Sequence, residues 1–131
     1  MISTRGRYAL RVMLDLAQNQ ENGYVPMKDV AARQELSLKY LEQILPALTR
    51  NKLVEGVQGK GGGYRLTRKP EEYVVGEILR VTEKDLAPVS CLAEGANECE
   101  RRAICKTIGF WQGLNDVVNE YINSKTLADL L

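Results

Sequence analysis

With 131 residues, 44% of them hydrophobic and 27% charged, the chain has the size and composition of one soluble globular unit plus an extra element, and no apolar stretch approaches the roughly 20 residues that cross a bilayer. The net charge of +1 hides a division at Pro70: residues 1–70 carry 12 Lys and Arg against 6 Asp and Glu, and residues 71–131 carry 6 against 11, so the first part is the one expected to meet phosphate. There is no histidine, which removes the commonest general base and the usual partner of a nucleophilic Ser or Cys, so an enzyme is not expected.

From Thr4, residues Tyr8, Val12, Met13, Leu16 and Ala17 recur at helical spacing, and the polar run Gln18-Asn19-Gln20-Glu21-Asn22-Gly23 closes this first helix. Arg11 and Asp15 interrupt its apolar residues, so the continuous apolar region of a signal peptide is missing and a cytoplasmic protein is expected. After Pro26, residues 27–34 predict a short helix with Val30 and Ala31 inward. Only Glu35 and Leu36 separate it from Ser37, which can cap a third helix whose Leu38, Leu41, Leu45 and Leu48 keep the three-and-four spacing as far as Asn51. Pro46 inside that pattern predicts a bend. Two helices joined by so short a turn make a helix-turn-helix.

Leu53-Val54-Glu55-Gly56-Val57 then alternates like a half-buried strand, Gly59-Lys60-Gly61-Gly62 turns the chain, and Gly63-Tyr64-Arg65-Leu66-Thr67 returns as a second strand. A β-hairpin directly behind a helix-turn-helix is a wing. A nucleotide-phosphate loop is the competing reading of these glycines. The Walker spacing is absent, however, no Ser or Thr follows Lys60, and a strand rather than a helix comes next. Past Arg68-Lys69-Pro70, residues Val75, Ile78, Leu79 and Val81-Thr82 predict a helix packing back on the domain. Residues 84–100 have no period and read as a loop. From Arg101 a longer helix is predicted. Its Ile104, Ile108, Trp111, Leu114, Val118, Tyr121 and Ile122 cover a face too wide for the rest of the chain to bury, which implies a partner helix from a second copy; the alternative is a helix folded onto its own domain. The expected fold is mainly α with a small β-hairpin wing: a winged helix-turn-helix DNA-binding domain over 1–83, then a cysteine-containing sensor loop and a long C-terminal dimerisation helix over 84–131.

In such a domain the second helix of the helix-turn-helix enters the major groove, so Ser37, Lys39, Tyr40, Glu42 and Gln43 become the candidates for base contact. Gln43 can pair with adenine, Glu42 can accept from cytosine, and Lys39 can reach guanine or phosphate, while Tyr40 can equally fill the edge of the core. Gln58 and Lys60 at the wing tip would lie along the backbone or in the adjacent minor groove, and Arg5 and Arg7 are placed for phosphate. The expected partner is a double-stranded DNA operator. A winged helix used purely for protein contact is the other reading, separated from this one by whether affinity for duplex DNA falls steeply with salt.

Cys91, Cys99 and Cys105 lie within fifteen residues of the acidic part. An odd count argues against a disulfide framework, and without a Cys-x-x-Cys pair or a base a thiol oxidoreductase is not expected. Arg101, Arg102 and Lys106 beside these cysteines favour their thiolate form.

Four segments carry a resemblance that spans nearly the whole chain: Ser3-Thr4-Arg5-Gly6-Arg7-Tyr8-Ala9-Leu10-Arg11, Leu36-Ser37-Leu38-Lys39-Tyr40-Leu41-Glu42-Gln43, Gly59-Lys60-Gly61-Gly62-Gly63-Tyr64-Arg65-Leu66 and the tail Thr126-Leu127-Ala128-Asp129-Leu130-Leu131. The sequence resembles the Rrf-two family of bacterial winged-helix transcription regulators, the IscR-, NsrR- and CymR-like group. The resemblance implies a homodimer joined through the long helix, bound to a partly palindromic operator and most often repressing transcription. It also implies that Cys91, Cys99 and Cys105 ligate an iron-sulfur cluster, of the 2Fe-2S type ahead of the 4Fe-4S type, whose loading or loss repositions the long helix.

Several positions depart from the cluster-binding members. Gln58 and Lys60 stand where their wings often carry arginine and proline, the gap from Cys91 to Cys99 is about two residues longer, and Ile108 stands where a fourth-ligand histidine would be. The fourth ligand would then come from Glu83, Asp85, Glu94, Glu98, Glu100 or an exogenous thiol or water. A regulator that responds through cysteine thiols or a metabolite, without a cluster, is the alternative, with structural cysteines or zinc behind it.

Overall fold

The computed structural model describes residues 1–131, with every side chain but that of Asn22. Helix α1, Thr4–Asn19, starts where the Ser3 hydroxyl accepts the Arg5 amide at 3.1 Å, and buries Ala9, Val12, Met13 and Leu16 on one face. A short 3-10 turn, Gln20–Asn22, follows it. Helix α2, Met27–Gln34, ends at Glu35 in the left-handed region, φ 54°, where the Glu35 and Leu36 amides donate to the Ala32 and Ala31 carbonyls. Helix α3, Leu38–Arg50, is capped by Ser37 and sends Leu41, Ile44, Leu45 and Leu48 into the core. Pro46 lies within it, and the helix continues through that position rather than ending there.

The hairpin pairs β1, Val54–Val57, with β2, Gly63–Leu66, antiparallel, so that Val54 faces Leu66 and Glu55 faces Arg65. Val25 pairs with Tyr64 on the outer edge of β2 through two hydrogen bonds of 2.8 Å. That close approach requires Gly63, φ 150°, because a Cβ there would collide with the Val25 carbonyl. Helix α4, Val75–Thr82, follows a 3-10 turn at Pro70–Glu72 and packs against α1 and α3.

Helix α5 spans Ile108–Ser124, seven residues later than the start expected at Arg101. Arg102–Ile104 form a 3-10 turn instead, and Cys105 is extended at φ −73°, ψ 110°. Ile104 mimics the helical spacing but lies in that 3-10 turn, and the extended backbone at Cys105 separates it from α5, whose cap residue is Thr107. After α5 the chain returns to the first part: Thr126 bridges Val74, the Leu127 amide donates to the Tyr73 carbonyl at 2.8 Å, and Leu127 sits wholly buried in the main core. A fully buried aliphatic side chain of this kind contributes about 1.5–3 kcal/mol relative to an exposed one. A smaller cluster of Val75, Leu79, Leu86 and Ile122 joins α4 to α5.

One buried charge fixes α1 against α2. Asp15, 1% exposed, accepts from Arg33 Nε and Nη2 at 3.0 and 2.6 Å and from Gln34 Nε2 at 3.0 Å. Removing Arg33 would leave the buried Asp15 carboxylate with Gln34 and Asn19 as its side-chain partners, at a cost of about 1–3 kcal/mol, whereas Arg33, 39% exposed, would be hydrated without Asp15. No helix among the described residues is long and apolar enough to cross a membrane.

Candidate nucleic-acid interface

The three-residue turn between α2 and α3, residues 35–37, leads into α3, and burial decides which face of that helix is outward. With Leu41, Ile44, Leu45 and Leu48 committed to the core, Lys39, Glu42 and Gln43 share the exposed side, with Ser37 at its start. Ser37 is spent on the helix cap, its hydroxyl accepting the Tyr40 amide at 3.3 Å. Among the described residues, the side chains of Lys39, Glu42 and Gln43 form no hydrogen bond or ion pair with the rest of the protein, so their donors and acceptors are available to a ligand.

Tyr40 differs from these neighbours. Its hydroxyl lies 3.1 Å from Thr4 Oγ1, and its ring meets Tyr8 edge-on at 5.5 Å and 81°. It therefore ties the start of α3 to the start of α1, the core-edge role weighed for it in the sequence. Arg11 extends this contact by lying 5.5 Å from the Tyr8 ring and bonding Gln34 of α2. Arg5 and Arg7 are exposed on the first two turns of α1, next to Thr4, which meets Tyr40 at the start of α3.

The wing turn places Gln58 and Lys60 in solvent. Gly59 and Gly61 take φ of 93° and 78°, and the Gly62 amide closes the turn on the Gly59 carbonyl at 3.0 Å. On the strands, Arg65 pairs with Glu55 at 2.6 Å and lies 4.5 Å above the Tyr24 ring, so its charge is already engaged. The base of the wing is held by a residue the sequence pattern did not single out. Tyr73 is fully buried, and its hydroxyl donates to the Leu53 carbonyl at 2.7 Å while accepting the Thr67 and Arg68 amides at 2.9 and 3.0 Å. A lone tyrosine between a basic run and an apolar helix carries no periodic signal, so only the fold could reveal it.

The cysteines lie between α4 and α5 on residues 84–107, a segment with 3-10 turns at Ser90–Leu92 and Arg102–Ile104. All three are free thiols: Cys91 and Cys105 are half-buried and Cys99 is exposed. Cys105 sits three residues before α5. Its Sγ is 3.5 Å from Thr107 Oγ1, and hydrogen bonds from the Thr107 hydroxyl, then from the Thr107 and Ile108 amides, hold its thiol below the ordinary range, with Arg101 adding a smaller push.

The donors this segment offers a cluster are its three soft thiols. Among the described residues no three His, Cys, Asp or Glu side chains come together as a metal-holding group. Two of the carboxylates considered as a fourth ligand are also occupied. Glu83 accepts from Ser3 and Gly6 on α1, and Asp85 accepts the Ala87 and Glu94 amides at 2.6 and 3.1 Å.

The exposed face of α5 is apolar. Phe110, Val117 and Tyr121 are 66%, 62% and 62% exposed, whereas Ile122 alone on this helix is buried. Arg80 of α4 holds the opposite side through Asn119 and Asn123 at 3.2 and 2.8 Å.

The family model described as "Rrf2: Iron-dependent Transcriptional regulator" matches residues 2–131. The HTH-type transcriptional regulator IscR of Cronobacter sakazakii is 37% identical over 130 residues, which cover 99% of this chain and 79% of that protein. Among solved structures, CymR (YrzC), the global cysteine regulator of B. subtilis, superposes with a TM-score of 0.79 at 35% identity, over 99% of this chain and 95% of that one. The T. potens IscR superposes with a TM-score of 0.78 at 35% identity, over 99% and 85% respectively.

Proposed function

Because this chain belongs to the Rrf2 family of winged-helix transcriptional regulators and is a regulator rather than an enzyme, we propose that it works in the cytoplasm as a homodimer that binds a double-stranded DNA operator through Lys39, Glu42 and Gln43 of α3. Gln58 and Lys60 of the wing and Arg5 and Arg7 of α1 supply phosphate or minor-groove contacts, and Ser37 and Tyr40 hold the reading helix in place. The observation that carries this reading is the outward face of α3, whose polar side chains have no partner in the protein while both flanking elements present cations. Repression is the mode that the resemblance implies. The second copy packs on the Phe110, Val117 and Tyr121 face of α5, which sets the spacing of two reading helices about one DNA turn apart, on the order of 34 Å.

Residues 1–83 thus form the DNA-binding part, and residues 84–131 carry the sensor and the dimer helix. For the sensor, the geometry favours thiol chemistry: three free cysteines on one irregular segment, with Cys105 held at the start of α5. The second reading is an iron-sulfur cluster, of the 2Fe-2S type ahead of the 4Fe-4S type, supported by three soft anionic donors at Cys91, Cys99 and Cys105 and by the family description as iron-dependent. Such a cluster would supply a redox-active group whose gain or loss is the signal.

Two measurements test these readings. Affinity for duplex DNA is measured against salt, and a steep fall is expected; weak, salt-independent binding would refute the regulator. An ultraviolet-visible spectrum with iron and sulfide assays is taken on protein purified without oxygen, beside Cys99→Ala. Visible absorption lost in the variant would establish the cluster. A colourless protein whose DNA affinity changes on thiol modification would establish the thiol reading.

A further inference from the structure

Helix α1 opens with the unfavourable sign of charge. Its first residues include Arg5 and Arg7 and no acidic side chain, although a helix start favours anions. In a capping box the carboxylate at the third helical position reaches back to the amide of the cap residue. Here that position is Gly6, and the carboxylate arrives from Glu83, the residue that ends α4.

Glu83 Oε1 accepts the Ser3 amide at 2.7 Å and the Gly6 amide at 3.0 Å, and the Ser3 hydroxyl lies 3.0 and 2.9 Å from the two carboxylate oxygens. The missing side chain at Gly6 makes the seat, since a Cβ there would collide with Glu83 Oε1. The same turn touches the reading helix, because Thr4 Oγ1 is 3.1 Å from the Tyr40 hydroxyl. Lys84, the next residue, begins the segment that carries the cysteines.

We propose that Glu83 is a positioning residue for DNA binding. Its carboxylate fixes the first turn of α1, and through that turn it sets Arg5, Arg7 and the Thr4–Tyr40 contact with α3. The proposal rests on the DNA-binding reading. It separates from a merely structural role through Gly6. Both Glu83→Ala and Gly6→Ala take the carboxylate cap from the helix, but Gly6→Ala offsets that loss by giving α1 a better helix former. The two changes therefore empty the same seat at different net cost to helix stability, so a loss of affinity common to both does not track stability.

The test uses the full chain and two probes: a duplex that wild-type protein selects from a randomised pool, and a duplex of scrambled sequence. Affinity is read by fluorescence anisotropy, with a thermal melt of each variant. Both single variants are expected to bind the selected duplex about tenfold more weakly, the loss of roughly one charge-assisted hydrogen bond. The double variant should bind no more weakly than either single one, because both act on one contact. Wild-type affinity in Gly6→Ala, or losses that add in the double variant, would overturn the proposal and leave the regulator reading intact. A wild-type protein that selects no duplex and binds neither probe in a salt-dependent way would overturn both.

Discussion

Replacing Tyr73 with Phe removes one oxygen from the joint between the wing and the helical body. The ring is fully buried and would stay so, still lying under the Arg68 guanidinium at 4.4 Å. What disappears is the hydroxyl that donates to the Leu53 carbonyl at 2.7 Å and accepts the Thr67 and Arg68 amides at 2.9 and 3.0 Å. The Thr67 amide keeps a weak fallback in the Leu53 carbonyl at 3.5 Å, but the Arg68 amide loses its acceptor. The lost bond to the buried Leu53 carbonyl contributes about 1 kcal/mol and the half-buried Arg68 amide left without its acceptor costs about 1 kcal/mol more, so the expected loss of stability is about 2 kcal/mol. For a chain of this length, each kcal/mol lowers Tm by about 3–5 °C, which puts the fall on the order of 10 °C. Circular dichroism melts at matched protein concentration measure it. DNA affinity should fall as well, because the wing is held less firmly, while the slope of log affinity against log salt stays unchanged, no phosphate contact having been removed. A midpoint within about 2 °C of wild type would refute the assignment of this hydroxyl as the joint.

Other expectations follow from the surface and the cysteine segment. Lys60→Ala and Arg5→Ala should each lower the magnitude of the salt slope by about 0.9, measured on a fixed duplex; an unchanged slope removes that residue from the phosphate contacts. Val117→Asp places a charge at the centre of the exposed α5 face and should yield a monomer in sedimentation with weakened operator binding, whereas an unaltered mass would show that the second copy packs elsewhere. Cys105 should react with iodoacetamide at a lower pH in the folded chain than in urea, because the Thr107 hydrogen bonds favour its thiolate. The folded value is the lowered one, so this contribution to stability is present above the ordinary thiol range and fades as pH falls through the folded value. Thr107→Ala should move the reactivity midpoint upward, and coincident folded and unfolded curves would remove the effect.

The helices were legible because burial imposes a period. Val12, Met13 and Leu16 on α1, and Leu41, Leu45 and Leu48 on α3, repeat at the spacing that places one face in the core, and Ser37 caps α3 where its sequence position suggests. The glycines of the wing were legible for a different reason, since few other residues take the positive φ that Gly59 and Gly61 adopt. The same periodic reasoning placed the start of α5 too early, since Ile104 keeps the spacing although the backbone is extended at Cys105 between it and the helix.

The sequence by itself determined the winged helix-turn-helix and the basic first part, because local propensity, patterning and charge all point one way there. Contacts between distant residues were decided only by the tertiary structure. Glu83 reaches Ser3, Tyr73 reaches Leu53, Tyr40 meets Thr4, and Leu127 returns to the core of the first part. None of these leaves a period in the chain, since a polar side chain that satisfies a backbone amide dozens of residues away is selected by three-dimensional proximity alone.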